Sequence, residues 1–154
     1  MERKTLYFED IKVGDAIESI SRTIVESDLW TFAYLTGDFF PLHTDSEFAK
    51  KTIFKDRIAQ GMLILSIALG MVDQVLLSLY NVNSVIAFFG INEVKFLKPV
   101  FIGDTIRAKA EVVNKEDFNK FSGVVTYRLD VKNQKDEIVL TGLYSALILK
   151  TPAE

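Results

Sequence analysis

The stretch Ala59–Tyr80, AQGMLILSIALGMVDQVLLSLY, decides the fold. It contains no proline, its single charged side chain is Asp73, and apolar residues occupy every face of a helical wheel drawn through it. A helix that is apolar all round has to be enclosed by protein or by lipid. Asp73 lies near the middle, where a carboxylate would cost ~2.5–3.5 kcal/mol at the bilayer centre. The stretch therefore predicts a buried core helix and no membrane span.

Composition predicts one globular domain over residues 1–154. The chain is 49% hydrophobic and 25% charged, enough for a real core at this length. Its net charge of −3 argues against nucleic acid as a partner. The absence of cysteine excludes disulfides and a thiol nucleophile, and it favours a reducing compartment. The N-terminal segment lacks the apolar run that would indicate a signal peptide, so we expect a cytoplasmic protein.

Ahead of the core helix the chain predicts only short elements. Apolar residues spaced at i, i+3, i+4 and i+7 predict a helix over Asp28–Thr36, with Ser27 as its N-cap. Pro41 disfavours helix at Phe40, so Asp38–His43 should be extended. The other predicted elements are a strand at Ala16–Val25, a brief helix at Ser46–Lys51 capped by Asp45, and a loop at Thr52–Ile58.

After Tyr80 the hydrophobic period changes from 3.6 to 2. Thr105–Val112 and Val124–Lys132 alternate between apolar and polar residues, which is typical of antiparallel strands with one buried face. Glu137–Leu149 is apolar on both faces and should be central, and Val85–Val100 is a long strand with an irregularity near Gly90. Predicted hairpin turns fall at Pro99–Asp104, Asn114–Ser122 and Asn133–Asp136.

These elements together predict an α+β domain in which a curved antiparallel sheet wraps around the long helix, an arrangement known as the hot-dog fold. One helix and one sheet leave a sheet edge uncovered. Along the helix, Ser66, Gly70, Asp73 and Leu77 form one stripe of mostly small or polar residues. That stripe predicts either a close helix–helix crossing at Gly70 or a pocket for an elongated ligand.

The chemistry centres on the single histidine, His43, which follows Asp38 by five residues. Such a pair means little alone, but its context is specific. The segments Gly37–Asp45, GDFFPLHTD, and Arg57–Leu63, RIAQGML, resemble the MaoC-like dehydratase and (R)-specific enoyl-CoA hydratase family. The signature of that family is G-D-x-N-P-[LIV]-H followed by R-I-A-H-G-M-L.

The resemblance implies a hot-dog homodimer that hydrates trans-2-enoyl thioesters or dehydrates the (R)-3-hydroxyacyl form. Asp38 and His43 would be the acid/base pair, and the backbone N–H of Gly61 would meet the thioester oxygen. The partner would be an acyl-CoA or an acyl-carrier-protein thioester, with no metal and no cofactor, since CoA is part of the substrate. Hydration needs such a pair because water loses a proton while C2 gains one.

Two positions depart from that signature. Phe40 stands where the family has asparagine, and Gln60 stands where it has histidine before the glycine. We expect both to line the substrate site, together with Arg57 and Ser66. Losing the asparagine removes a hydrogen-bonding group beside the acid/base pair and puts the activity itself in question.

Two other functions remain open at this stage. A hot-dog thioesterase would use a carboxylate on the core helix, where Asp73 is the sole candidate. A non-catalytic acyl-binding or partner subunit would account for Phe40. The products separate the three functions, because hydration consumes the conjugated alkene, hydrolysis frees a thiol, and a binding subunit does neither.

Overall fold

A computed structural model describes residues 3–152 of the chain. Its helices and strands follow one another along the chain in a simple order. After a short 3-10 turn at Phe8–Asp10, they are β1 (Ala16–Glu18), β2 (Arg22–Thr23), α1 (Glu26–Thr36), α2 (Pro41–Thr44), α3 (Ser46–Ala49), α4 (Gly61–Leu79), β3 (Val85–Phe96), β4 (Thr105–Asp117), β5 (Ser122–Lys132) and β6 (Ile138–Leu149).

The strands form an antiparallel sheet in the order β1-β4-β5-β6-β3, with β2 pairing separately to β4. β6 lies between β5 and β3, which confirms the prediction that the most apolar strand is central. The sheet packs along α4, and the main core is built from both. The hot-dog arrangement predicted from the sequence is therefore confirmed.

Two of the three predicted hairpins are confirmed, and the one at Pro99–Asp104 is wrong. β3 pairs with β6, so this segment crosses to the opposite side of the sheet instead of turning back. Its backbone groups bond elsewhere. Ala59 N–H donates to the Val100 carbonyl at 2.8 Å, and Gly103 N–H donates to the Ile24 carbonyl at 2.8 Å. The connection thus ties the start of α4 to the strand-like segment before α1.

The predicted strand Ala16–Val25 is broken in two at Ser19. The Ser19 hydroxyl accepts a hydrogen bond from the Ala108 N–H at 2.9 Å. A side-chain oxygen thus takes the place of a backbone carbonyl as the acceptor at this point of the sheet. The predicted cap at Ser27 is also wrong. α1 begins two residues earlier than predicted, at Glu26, and the Asp28 carboxylate accepts from the Val25 N–H at 2.9 Å. The cap at Asp45 is confirmed, since its carboxylate accepts from two N–H groups of α3.

The expectation of extended chain over Asp38–His43 is wrong in its second half. Pro41 is the first residue of the short helix α2, a position where a missing N–H costs nothing and a fixed φ suits the helix. Phe40 keeps the extended ψ of 131° that a residue before proline prefers. The proline therefore excludes helix before it and starts helix after it.

α4 is buried along one side only, whereas the sequence predicted burial all round. By length and composition alone it is apolar enough to cross a membrane, yet the sheet packs along it as on a core helix. The residues of α4 that the chain buries are Leu63, Ile64, Leu65, Ala68, Met71 and Val72. The opposite side carries the stripe of Ser66, Gly70, Asp73 and Leu77, with Met62 next to it. These residues are exposed to solvent within a single chain.

Candidate active site

The C-terminus of α1 delivers Asp38 to the site. Gly37 caps that helix with a left-handed φ of 79°, and its N–H donates to the Ala33 carbonyl at 2.8 Å. A side chain disfavours this conformation, so glycine suits the turn. Asp38 follows directly, and its carboxylate accepts from the Phe40 N–H at 3.3 Å. Pro41 then starts the turn of helix that carries His43.

His43 is held by a carbonyl of the second motif. Its Nδ1 lies 2.7 Å from the Ile58 carbonyl oxygen, which can only accept, so Nδ1 carries the hydrogen of the neutral ring. Nε2 is then the acceptor nitrogen. A backbone hydrogen bond from the Ile58 N–H to the Leu42 carbonyl, at 3.4 Å, also joins the segment of His43 to the segment of Ile58. The two halves of the sequence signature are thereby joined side by side.

The two segments enclose a cavity of about 460 Å³, here called the site cavity. Asp38, His43, Gln60 and Gly61 line it together, as the sequence predicted that they should meet. Most of its remaining wall is apolar and comes from the loop before α4, from α4, from the end of β3 and the segment that follows it, and from β6. Those residues include Phe54, Met62, Phe96, Leu97, Pro99, Val139 and Leu140. Side-chain patterns did not indicate the Phe96 wall, because the register of β3 against β6 shifts at three places between Val85 and Phe96.

Gly61 opens α4 beneath the ring of Phe96. A Cβ at position 61 would lie 2.8 Å from that ring, closer than real side chains approach. The first N–H groups of a helix have no acceptor within it, and no side chain caps this helix at Gln60. With the positive end of the helix dipole added, this end of α4 suits a developing negative charge.

Gln60 is a buried polar residue, and Arg57, close to it in sequence, is partly buried. The Gln60 side chain is 1% exposed, and its Nε2 donates to the Leu29 carbonyl at 3.2 Å. Its Oε1 has no hydrogen-bond donor within residues 3–152. Leaving an acceptor buried in this way costs about 1–3 kcal/mol. The sequence analysis expected Gln60 to line the substrate site but did not predict its anchor, because that anchor is a backbone carbonyl in α1.

Arg57, which we expected to bind substrate, is engaged with the protein. Its guanidinium donates to the Glu26 carboxylate at 2.6 Å and approaches the His43 carbonyl at 3.5 Å. The hydrogen bond between Arg57 and Glu26 holds the pKa of Glu26 below its usual value and raises the pKa of Arg57. Arg57 thereby ties α1 to the segment that carries His43.

The remaining two predicted residues lie outside the site cavity. Phe40 is 55% exposed, and its ring meets the rings of His43 and Phe48 edge-on, with centroids 6.1 Å apart in each case. Ser66 donates to the Met62 carbonyl at 2.8 Å on the open stripe of α4. The structure therefore brings Phe40 beside His43 but does not bring Ser66 to Asp38 and His43.

A second concavity, here called the helix groove, measures about 670 Å³ and runs along the open stripe of α4. Burial raises the pKa of Asp73 in this groove, raises the pKa of Tyr127 to about 12, and raises the pKa of Tyr144. Met62 lines both the groove and the site cavity. The two tyrosines were not anticipated from the sequence, because alternation in β5 marks Tyr127 only as a buried position and the residues around Tyr144 are apolar on both faces of β6.

Comparison with known proteins identifies the family. The family model described as "MaoC like domain" matches residues 10–133, so the chain belongs to the MaoC-like domain family. This confirms the resemblance found in the two motifs. The (R)-specific enoyl-CoA hydratase of Rhodospirillum rubrum is 39% identical over 122 residues, which cover 79% of this chain and 78% of that protein.

Other relatives carry names of a different kind. Protein MaoC of Klebsiella aerogenes is 38% identical over 104 residues, and the match covers 67% of this chain but only 29% of that protein. A crystal structure described as a monoamine oxidase regulatory protein from Archaeoglobus fulgius is 71% identical, with a TM-score of 0.97 and 99% of each chain covered. The family includes hydratases and dehydratases.

Proposed function

We propose that this protein adds water to trans-2-enoyl thioesters to give (R)-3-hydroxyacyl thioesters, and that it catalyses the reverse dehydration. The observation that carries the proposal is that Asp38, His43 and the N-terminus of α4 at Gly61 line one cavity. The name of the Rhodospirillum rubrum relative supports the class of substrate. The acyl group would arrive on CoA or on acyl carrier protein in the cytoplasm, and the reaction requires no further cofactor.

Hydration breaks the alkene π bond and one O–H bond of water, and it forms one C3–O bond and one C2–H bond. The water oxygen bonds to C3 and loses a proton, the alkene pair moves towards C2 and the thioester oxygen, and C2 then gains a proton. Nε2 of His43 is free to take the proton from water, because Nδ1 is committed to the Ile58 carbonyl. We assign delivery of the proton to C2 to Asp38, with proton return between the two groups completing the cycle.

The negative charge that develops on the thioester oxygen needs hydrogen-bond donors that are already in place. The Gly61 N–H at the start of α4 supports this role, because first-turn N–H groups lack acceptors within the helix. The absence of a side chain at Gly61 leaves room for the oxygen to approach beside Phe96.

Hydrolysis is the less favoured reaction. It would need a carboxylate on the core helix, and the single acidic residue of α4, Asp73, lines the helix groove and not the site cavity. A nucleophile or base in the groove would act away from His43 and from the N–H of Gly61. The positions of these groups therefore favour hydration.

The test is product analysis on trans-2-butenoyl-CoA. We expect loss of the ultraviolet absorbance of the conjugated alkene and formation of the (R)-3-hydroxyacyl-CoA, as judged by chiral chromatography, without free thiol. Free CoA appearing without a hydroxyacyl product would support hydrolysis. No change in either signal, with the thioester still bound, would support a non-catalytic acyl-binding subunit.

We further propose a homodimer in which two sheets join edge to edge through β3 and two α4 helices lie side by side. β3 is an edge strand, and the open stripe of α4 runs beside it. The exposed large apolar residues of β3 are Val85, Ile86, Phe88, Phe89, Ile91 and Phe96. Contiguous apolar surface of this kind is typical of a protein interface.

Sedimentation measures this assembly directly. We expect a particle of about twice the 17.4 kDa chain mass at micromolar concentration. A monomer under those conditions would contradict the proposed dimer.

A further inference from the structure

The side-chain oxygen of Gln60, Oε1, has no role in the proposed function described above. The Gln60 side chain is buried, and it lines the site cavity beside Asp38, His43 and Gly61. Nε2 donates to the Leu29 carbonyl, but Oε1 has no donor in the part of the chain that the structure describes. Buried polar groups in proteins are almost always hydrogen-bonded, so an unpaired oxygen on a residue that lines a cavity points to a ligand with a hydrogen to donate.

The orientation of this amide follows from its neighbour. The Leu29 carbonyl can only accept, so the NH2 end of Gln60 has to face it, and a flipped amide would set oxygen against oxygen. Leu29 lies in α1 and is itself 1% exposed, so the anchor belongs to the packed core. Oε1 is therefore held away from Leu29 by the same hydrogen bond that fixes Nε2.

We infer that Oε1 of Gln60 accepts a hydrogen bond from the water molecule that attacks C3. This inference rests on the proposed hydration. The attacking water has two hydrogens, of which one leaves for His43 and the other stays on the oxygen as the hydrogen of the 3-hydroxyl product. Gln60 accepts from the hydrogen that stays. In the direction of dehydration the same contact orients the 3-hydroxyl group before it leaves.

Two acceptors fix a water molecule better than one. With one hydrogen directed to Nε2 of His43 and the other to Oε1 of Gln60, the lone pair of the water is turned to a single direction, which is the requirement for attack on C3. Among the residues that line the site cavity, Gln60 is the one with a side-chain amide. Phe40, at the position of the asparagine in the family signature, offers no hydrogen bond to the water.

Gln60 also has a structural task, because its Nε2 joins the start of α4 to α1. The experiment has to separate these two tasks. Gln60→Met keeps the length and most of the volume of the side chain but removes both the donor and the acceptor. Gln60→His supplies both again, since a neutral imidazole has one N–H for Leu29 and one acceptor nitrogen.

Gln134→Met is the matched control. The Gln134 amide donates to Asp104 and accepts from the Thr105 N–H, so this variant also loses structural hydrogen bonds, but at a turn that does not line the site cavity. We expect it to lower the melting temperature and to leave kcat unchanged.

The assay is steady-state hydration of trans-2-butenoyl-CoA at 25 °C, with a thermal melt of each protein. We expect Gln60→Met to lower kcat by ~10- to 100-fold, the scale of a misplaced reactant, while KM changes by less than about threefold. Gln60→His should recover kcat to within about fivefold of the parent protein, because the donor and the acceptor are both restored.

Folded Gln60→Met with parental kcat and a lower melting temperature would overturn the inference and leave Gln60 as an anchor of α1 only. If Gln60→Met does not fold, Gln60→His decides the question. Recovery to within about fivefold supports the water contact, and a larger loss of kcat in folded protein overturns it. A parent protein that hydrates no enoyl thioester removes the proposed function, and this inference with it.

Discussion

Replacement of Gly61 by alanine tests the approach to the helix N-terminus. The new Cβ would lie 2.8, 2.9 and 3.0 Å from three atoms of the Phe96 ring, whereas ordinary contact begins at 3.4 Å. Phe96 is 51% exposed within a single chain and lines the site cavity, so its ring has room to move towards that cavity. Alanine is also the better helix former, by up to about 1 kcal/mol in a helix interior. We therefore expect little change in melting temperature.

Activity should respond quite differently. The methyl group and the displaced ring both occupy the space through which the thioester oxygen reaches the Gly61 N–H. Loss of one donor to such an oxygen lowers kcat by about 10²–10³-fold, or about 2.7–4 kcal/mol. We expect a loss of this size for Gly61→Ala in the hydration of trans-2-butenoyl-CoA.

The double variant Gly61→Ala/Phe96→Ala separates the two causes. Removal of the ring relieves the contact, so recovery of activity would assign the defect to the displaced Phe96. Continued loss would assign it to the methyl group at the N–H itself. Activity of the single variant within about threefold of the parent would refute the role of Gly61 as a close donor.

Three further predictions follow from the site and the helix groove. His43→Ala and Asp38→Asn should each lower kcat by at least ~10²-fold, the scale of a lost general base or acid, with the fold retained by circular dichroism; near-parental turnover of either would contradict the assignment. Phe40→Asn should cost little melting temperature, because the ring is 55% exposed, and should leave kcat equal to or above that of the parent; a large loss of stability would instead make Phe40 a core residue. Partial burial in the groove raises the pKa of Asp73 above its usual value, so its ionised form slightly destabilises the folded state at neutral pH. Asp73→Asn should therefore melt slightly higher at pH 7, and the difference should vanish in acid, where the carboxyl group is protonated in both states; a difference that persists in acid would show that the carboxylate charge is not the cause.

The elements that the sequence predicted best are those with a strong hydrophobic period. α4 and the buried faces of β4 and β5 follow directly from the 3.6- and 2-residue patterns. Alternation, however, reports which face of a strand is buried and not which strand lies beside it. The pairing of β3 with β6 depends on residues distant in the chain, so the connection at Pro99–Asp104 was misjudged as a hairpin.

The site was predicted from its motif and completed by the fold. Asp38, His43 and Gly61 follow from two short segments, and the structure adds the Ile58 carbonyl that orients His43. That partner is a backbone atom, and so is the Leu29 carbonyl that orients Gln60. Side-chain patterns carry no record of backbone partners across the fold, which is why neither hydrogen bond was foreseen. The ion pair between Arg57 and Glu26 could not be predicted for a similar reason, because Glu26 lies on another helix, distant in sequence.

Met62 faces the site cavity on one side and the helix groove on the other. A molecule that covers the groove also restricts this flexible side chain, and so does a substrate that fills the cavity. Whichever event occurs first removes part of the conformational entropy of Met62, so the second event costs less free energy. This coupling free energy is the same in both directions. If the proposed dimer covers the groove, binding of an acyl thioester and formation of the dimer should strengthen one another, and thioester affinity should rise with protein concentration.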